Sequence, residues 1–307
     1  MASALSAQHF HNEAAAFDYV EARVWPEGPV CPHCGGVERI SKMQGKSTRM
    51  GLYKCYQCRK PFTVRMGTIF ESSHVPLHLW LQAMYLVAGS KKGISSNQLH
   101  RTLGVTLKTA WFLSHRIREA MRSGDLLPMG GDGGVVEVDE TFVGTRPGVP
   151  IRQGGVAHKV PVLSLVHRES GEARSFVVDD TNRDTIVPIV RANIDRETYI
   201  MTDENAVYMR QFKDYLGHGT VCHTAGEYGR GRIHNNTVEG YYSIFKRGMR
   251  GVYQWCAPKH LHRYVAEFDF RYSNRAGLDC NDADRADRLL KGIVGKRLTY
   301  QTTCARA

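Results

Sequence analysis

The 307-residue chain is 42% hydrophobic and 23% charged, a composition that argues against large-scale disorder. Its formal net charge of +11 favours a polyanionic partner, because lysine and arginine neutralise phosphates and release bound counterions; a basic protein without a nucleic-acid role is the alternative. No apolar run approaches the ~20 residues that cross a bilayer, and the N-terminus lacks the basic and apolar segments of a secretory signal. We therefore expect a cytoplasmic protein without membrane contact, whose thiols stay reduced.

Residues 1–28 are expected to form a helical lead-in, and residues 29–70 carry the first motif. Four cysteines fall as two C-x2-C pairs with twenty residues between them: Cys31 and Cys34, then Cys55 and Cys58. Each pair offers two sulfurs from one tight turn, and Zn2+ takes four such ligands in a tetrahedron. Because coincidental cysteines are seldom paired in this way, the spacing predicts a zinc ribbon with a structural Zn2+.

Residues 71–125 predict a helix-turn-helix segment. Apolar residues recur at helical spacing over 77–88, a short helix ends at Gly104, and a second helix runs from about Thr106 through Met121. Two helices joined by a short glycine turn are typical of DNA-binding proteins. We expect three basic side chains of the second helix to contact DNA: Lys108, Arg116 and Arg118. A plain helical linker with solvated arginines is the alternative.

After a glycine-rich break, residues 133–276 alternate strand and helix patterns. The predicted elements are a strand over 135–143, a hairpin over 160–180, a helix over 185–194, a strand over 198–205 and a helix over 235–249. This alternation indicates an α/β domain. The remaining residues, 277–307, are treated as a C-terminal tail with one short helix.

Three acidic residues of this domain stand out by their context. Asp139 interrupts a valine-rich strand, Asp203 ends an apolar strand, and Glu239 lies in the first turn of a helix. Residues that break a local rule without a structural gain are candidates for function. Carboxylates of this kind suit Mg2+, which prefers hard oxygen ligands.

Each of these acids also has an ordinary structural explanation. Asp139 can accept hydrogen bonds at a strand end, and Asp203 can begin a turn. Glu239 stands three residues after Asn236, which is the spacing of a reciprocal capping box. The case for a shared site depends on the three residues occurring together in a basic protein.

Three segments resemble the DDE transposases of bacterial insertion sequences, in particular the ISXO-like group with an N-terminal zinc ribbon. They are VEVDETFVG, MTDEN and HNNTVEGYYSIFKRGMRGVY, and the resemblance extends from about residue 15 to Arg275. It implies an RNase H-like core, in which helices flank a mixed sheet. Asp139 and Asp203 match the two aspartates of the family and Glu239 its glutamate, while Lys246 matches a basic residue seven positions later.

The identity of the third acidic ligand stays open. His234, Asn235 and Asn236 lie just upstream of Glu239 and are alternatives to it. Glu140 and Glu204 adjoin the aspartates, but adjacent strand residues point to opposite faces of a sheet.

The resemblance implies an enzyme that binds the ends of an insertion sequence, cleaves the 3′ ends and transfers them into target DNA. It implies two catalytic Mg2+ or Mn2+ ions, bound by Asp139, Asp203 and Glu239, and backbone contacts from basic residues such as Arg247 and Arg250. The partners would be double-stranded DNA at the nucleoid and further copies of the chain, in a dimer or larger assembly. A catalytically silent DNA-binding regulator and an RNase H-like nuclease without joining activity are the alternatives.

Overall fold

The computed structural model describes residues 3–299, apart from positions 123, 125 and 228. The chain divides into two compact units. The first comprises the chain up to Ser90, Ile94–Met121 and the segment from Asn281 onward, and the second comprises Lys91–Gly93 and Arg122–Cys280. The predicted tail therefore divides at Asn281, and its residues 300–307 lie outside the described residues.

The first unit begins with helix α1 (Glu13–Val24) and a small three-stranded antiparallel sheet. Its strands are β1 (Ile40–Lys42), β2 (Tyr53–Cys55) and β3 (Pro61–Phe62), in the order β1-β2-β3. The core beside this sheet is small: Cys31, Cys55 and Phe62 are buried, with Trp25 and Tyr53 packed against them. A core of this size needs a further constraint such as a metal ion.

The rest of the first unit is helical. Its helices are α2 (Leu77–Gly89), α3 (Ser96–Leu103), α4 (Leu107–Met121) and α8 (Asp282–Lys291). As predicted, α3 ends at Gly104, which adopts a left-handed conformation (φ 65°) that favours glycine. The Thr106 hydroxyl then accepts a hydrogen bond from the Thr109 N–H and caps α4. Local sequence therefore specifies both ends of the turn between α3 and α4.

The second unit is built on a five-stranded mixed sheet. Its strands are β4 (Gly134–Val143), β5 (Val160–His167), β6 (Ala173–Val177), β7 (Thr198–Asp203) and β8 (Gly217–Val221), in the order β6-β5-β4-β7-β8. β4 is central; it pairs antiparallel with β5 and parallel with β7. The edge strand β8 was not predicted, because Gly217 and Gly219 weaken the strand pattern.

Helices cover both faces of this sheet. They are α5 (Arg183–Asn193), α6 (Asn236–Gly248) and α7 (Leu261–Ser273). Val136 and Val138 of β4 pack with α5 on one face. Val143 of β4, with Val160, Val162 and Val166 of β5, packs with α6 and α7 on the other. The helices that flank a mixed sheet in the second unit and the four-cysteine ribbon in the first confirm the predicted fold class. Because side chains alternate along β4, Glu137 and Asp139 lie on the face that α6 covers.

Candidate active site and zinc site

The four cysteines of the ribbon form one compact cluster, as predicted. Their sulfur atoms all lie within 4.8 Å of one another, with Cys31 Sγ 3.6 Å from Cys58 Sγ and Cys34 Sγ 3.8 Å from Cys55 Sγ. Sulfurs bound at ~2.3 Å to a tetrahedral Zn2+ lie about 3.8 Å apart, so this spacing suits zinc. The backbone N–H of Cys58 hydrogen bonds to the Cys55 sulfur and contributes most to lowering the pKa of that thiol to about 7. Despite a hydrogen bond from the Gly36 backbone, burial and hydrogen bonds to the other three thiols raise the pKa of Cys34 to about 12. The thiolate is the form that binds metal.

Asp139 and Asp203 lie at the same level on neighbouring strands. The parallel pairing of β4 and β7 runs as far as Glu137 opposite Met201. Asp139 lies two residues after Glu137, and Asp203 lies two residues after Met201, so both aspartate side chains point to the same face. On the far side of β7, Asp203 pairs with Val221 of β8. The mixed sheet therefore brings together two acids that are 64 positions apart in the chain.

Helix α6 presents Glu239 to this face, and the capping box considered for it does not form. The N-cap residue is Asn235, not Asn236, and its side chain makes no capping hydrogen bond. Instead the buried carboxylate of Glu137 on β4 accepts hydrogen bonds from the Val238 N–H (2.8 Å) and the Thr237 hydroxyl (2.8 Å). Glu239 is left exposed and is not needed to cap the helix.

Glu137 is the residue of this site that the sequence analysis missed. It is fully buried and forms an ion pair with Arg168 (2.5 Å), whose guanidinium also donates to the Arg232 carbonyl (2.7 Å). His234 Nδ1 lies 3.3 Å from the same carboxylate. Glu137 thus fastens the first turn of α6 and the segment before it to β4. The alternation V-E-V-D contains the signal, since it places Glu137 on the face of Asp139.

The acidic residues interact electrostatically. Burial, with the negative charges of Glu140, Asp203 and Glu239, raises the pKa of Asp139 to about 8. Burial also raises the pKa of Glu140 to about 7, although the Tyr208 hydroxyl donates a hydrogen bond to it. An acid surrounded by further acids is a costly arrangement that a cation relieves.

The alternatives to Glu239 differ in how they are held. His234 contacts Glu137 and Arg168. The side-chain amide of Asn235 bridges the Asp203 N–H (3.1 Å) and the His234 carbonyl (3.1 Å), so it supports the end of β7. Asn236 is exposed, and Glu239 Oε1 lies 3.6 Å from His223 Nε2. Of these residues, Glu239 is the one that adds negative charge at Asp139.

The acidic residues are more widely spaced than the cysteines. Among the residues that the structure describes, the four cysteines are the only group of three or more histidine, cysteine, aspartate or glutamate side chains whose ligand atoms all lie within 4.8 Å. Asp139, Asp203 and Glu239 therefore share an electrostatic neighbourhood without the contact distances of ligands around a single ion.

Three basic residues lie on α6 and the turn after it. Lys246 is half-buried, with its Nζ 5.8 Å from the ring centre of Tyr242. Tyr242 in turn donates a hydrogen bond to the Asp139 carbonyl (2.5 Å). Arg247 and Arg250 are exposed, so all three cations can be reached by DNA.

The predicted DNA contacts of α4 need correction. Lys108, near the start of the helix, is exposed. Arg116 is 3% exposed and donates to the carbonyls of Ile69 (2.8 Å) and Glu71 (2.8 Å), and Arg118 is 1% exposed. Arg116 therefore links α4 to the segment around Ile69 and Glu71, and the burial of Arg116 and Arg118 contradicts their assignment to phosphate contact.

Comparisons with known proteins match part of the first unit and most of the second. The family profile of the ISXO2-like transposase domain matches residues 132–273, which include all three acids. That of the transposase zinc-ribbon domain matches residues 11–61, which include all four cysteines. The chain belongs to the ISXO2-like transposase family. Its zinc ribbon and cysteine cluster support a structural Zn2+, and its catalytic domain is that of a polynucleotidyl transferase.

One curated protein and one solved structure illustrate the range of similarity to this transposase. It is 27% identical over 289 residues to the "Uncharacterized protein in transposable element ISH50" of Halobacterium salinarum, a match that covers 85% of this chain and 91% of the relative. A solved structure, the cryo-EM structure of a simian T-cell lymphotropic virus intasome in complex with PP2A regulatory subunit B56 gamma, matches at 14% identity and a TM-score of 0.30. That match spans 62% of this chain and 65%, less than two thirds, of the other. No helix among the described residues has the length and apolar character to cross a membrane.

Proposed function

We propose that this transposase binds the ends of an insertion sequence and catalyses 3′-end cleavage followed by strand transfer into target DNA. Asp139, Asp203 and Glu239 would bind two Mg2+ or Mn2+ ions. The observation that carries the proposal is the position of Asp139: it is a half-buried carboxyl at the centre of the sheet, with the charges of Asp203 and Glu239 acting on it.

The donor set fits such ions. Carboxylates are the hard oxygen ligands that Mg2+ and Mn2+ prefer. Two ions roughly 4 Å apart need ligands spread over a wider area than one ion does, which agrees with the spacing of the three acids. When bound, the ions would supply activation of the attacking oxygen and stabilisation of the leaving one.

The chain's own residues position the DNA. Glu137 holds the first turn of α6 against β4 and so sets the distance between Glu239 and Asp139. Lys246 stands on the same face of α6 as Glu239, nearly two turns on, where its ammonium group can contact a phosphate. Arg247, Arg250 and Lys108 are exposed cations for further phosphate contacts.

The partners follow from this chemistry. Joining both ends of an element to a target requires double-stranded DNA and at least two catalytic sites, so we expect a dimer or larger assembly on DNA. Such an enzyme would act in the cytoplasm, at the nucleoid.

A strand-transfer assay tests the proposal. Pre-cleaved fragments taken from the DNA that flanks the gene serve as ends, with a supercoiled plasmid as target and Mg2+ present. The wild type should join them, and Asp139→Asn should not, while still binding the fragments. Asp214→Asn, which changes an exposed acid of the same unit, is the matched control and should join normally.

Each result that contradicts the proposal points to a different alternative function. Cleavage without joining by the wild type would indicate a nuclease. Binding without either reaction would indicate a regulator. Loss of end binding in Asp139→Asn would show that Asp139 has a structural role.

A further inference from the structure

A cavity of about 260 Å³ opens at the far end of β4, beyond the acids. The end of β4 (Phe142 and Val143), Met249 and Leu261 supply much of its apolar wall. Pockets for drug-sized ligands measure roughly 300–1,000 Å³, so this cavity has room for one flat ring system. Trp255 lines it with 70% of its surface exposed, which is unusual for so large an apolar side chain.

An uncommon backbone path presents Trp255 at the cavity. α6 continues into a π-helical turn over Met249–Tyr253. Gln254 follows with φ 59° and ψ −50°, and the Trp255 N–H donates to the Tyr253 carbonyl at 2.6 Å. These angles and this hydrogen bond define a γ-turn of the rare positive-φ type, which is strained for a residue with a side chain. π-helical turns and strained residues both concentrate at functional sites.

Tyr253 fixes this turn to the domain. Its hydroxyl donates to Glu267 of α7 at 2.5 Å. Its ring packs edge-on against Tyr264, with centroids 4.8 Å apart, and against Phe268, with centroids 6.2 Å apart. The strained turn therefore rests on a rigid base, and Trp255 is held exposed beside the cavity by the surrounding structure.

The charge at the cavity is entirely positive. Lys159, Lys246 and Arg250 line it, and none of the described lining residues is acidic. Neither Lys159 nor Arg250 forms an ion pair with a carboxylate among the described residues. An apolar cavity with an exposed indole ring and three cations in its lining suits a flat aromatic group that carries phosphates.

We infer that this cavity takes one unstacked nucleobase of the DNA strand on which the enzyme acts, with Trp255 as the stacking surface and the three cations on the adjoining phosphates. The inference rests on the proposed function for the identity of the strand. Val143 lies four residues beyond Asp139, about 13 Å along an extended strand. At about 3.4 Å per nucleotide along a duplex, the bound base would lie about three or four nucleotides from the reacting phosphate.

The inference predicts a base-dependent loss of binding. The probes are a fluorescent dT 16-mer and an abasic backbone of the same length, measured by anisotropy without added Mg2+ or Mn2+. Loss of one stacked base costs about 1–3 kcal/mol, so Trp255→Ala should weaken dT binding roughly 5- to 150-fold. Trp255→Phe should retain most of the affinity. Met209→Ala, which removes another exposed apolar side chain of the same unit (58% exposed), should change nothing.

The abasic probe and a cross-link locate the effect. Wild type and Trp255→Ala should bind the abasic backbone equally, since the phosphate contacts remain. Ultraviolet cross-linking of a 5-iodouracil-substituted dT 16-mer should attach it to the peptide that contains Trp255. Unchanged dT binding in Trp255→Ala, an equal loss for both probes, or cross-links only elsewhere would each overturn the inference.

The two proposals fail separately. Asp139→Asn should keep the full dT affinity and the cross-link. If the wild type joins no DNA but these signals persist, only the proposed function falls. If joining proceeds and Trp255→Ala binds dT normally, only the cavity assignment falls.

Discussion

The cysteine cluster of the ribbon and the acidic cluster of the catalytic sheet are assembled from very different lengths of chain. The four cysteines lie between positions 31 and 58, and two short turns bring their sulfurs to 3.6–3.8 Å. The three acids lie between positions 139 and 239, and only the completed sheet and α6 bring them together. The ribbon needs its metal because its core is small, whereas the catalytic unit has large apolar cores on both faces of its sheet.

This difference implies opposite relations between metal and stability. In the ribbon, metal binding supplies folding free energy. In the catalytic unit, apolar burial already stabilises the fold. The crowded carboxylates lower this stability unless a cation is bound. Removing a cysteine ligand should therefore destabilise the ribbon, whereas removing a carboxylate from the acidic cluster should stabilise the metal-free catalytic unit.

The largest effect is expected from Cys31→Ser. Structural Zn2+ contributes apparent binding free energies of roughly 10–16 kcal/mol in zinc-finger peptides, so loss of one thiolate should release the ion and unfold the ribbon. Zinc content by elemental analysis and protease sensitivity of residues 29–70 measure this. Cys222→Ser, outside the cluster, should retain one Zn2+ per chain. A folded ribbon with full zinc in Cys31→Ser would contradict the assignment.

Glu137→Gln is expected to have the next largest effect. It leaves Arg168 without its buried carboxylate partner, and breaking a buried pair costs about 3–5 kcal/mol. Chemical denaturation of the catalytic unit measures the loss. Asp214→Asn, which disrupts an exposed pair with Arg196 (side chains 48% and 47% exposed), should cost under about 1 kcal/mol. Equal losses in the two variants would show that Glu137 does not anchor α6.

A feature of the fold or the site could be predicted from the sequence where neighbouring residues alone determine it. The cysteine pairs and the turn at Gly104 each fulfil a local rule, and the structure has both where the sequence predicts. The three acids stand out by their local context, and their joint role as metal ligands stays a prediction. Arg116 and Arg118 were misassigned because helical spacing does not tell which face packs inward. Arg116 is buried against the Ile69 carbonyl, which lies 47 positions away in the chain.

Asp139→Asn should have a smaller effect on stability, of opposite sign. The substitution removes a carboxyl whose pKa is raised to about 8 by burial and by neighbouring acids. In buffer without divalent cations, we expect the variant to be more stable than the wild type by about 1–2 kcal/mol. Added Mn2+ should raise the melting temperature of the wild type but not of the variant. A destabilised variant would mean that Asp139 supports the fold.

A change at Asp269 sharpens the distinction between a buried acid and a metal-binding one. Burial raises the pKa of Asp269 to about 7, yet its neighbours are donors: the Tyr241 hydroxyl (2.6 Å), the Ser175 hydroxyl (2.7 Å) and the Ser175 N–H (2.8 Å). Because the folded pKa exceeds the unfolded value of 3.8, this carboxyl stabilises the fold fully below that value, and its contribution is lost as pH rises towards 7. Asp269→Asn should therefore lessen the fall in unfolding free energy across this interval, by at most about 1.4 kcal/mol per pH unit.

The same variant should leave Mn2+ stabilisation intact, since Asp269 faces hydrogen-bond donors while Asp139 faces other acids. Denaturation of the variant and the wild type at several pH values, with and without Mn2+, measures both effects. If Asp269→Asn abolished the Mn2+ shift, the contrast between hydrogen-bond donors and neighbouring acids would not distinguish a structural acid from a metal-binding one. Asp269 would then have to be added to the metal site.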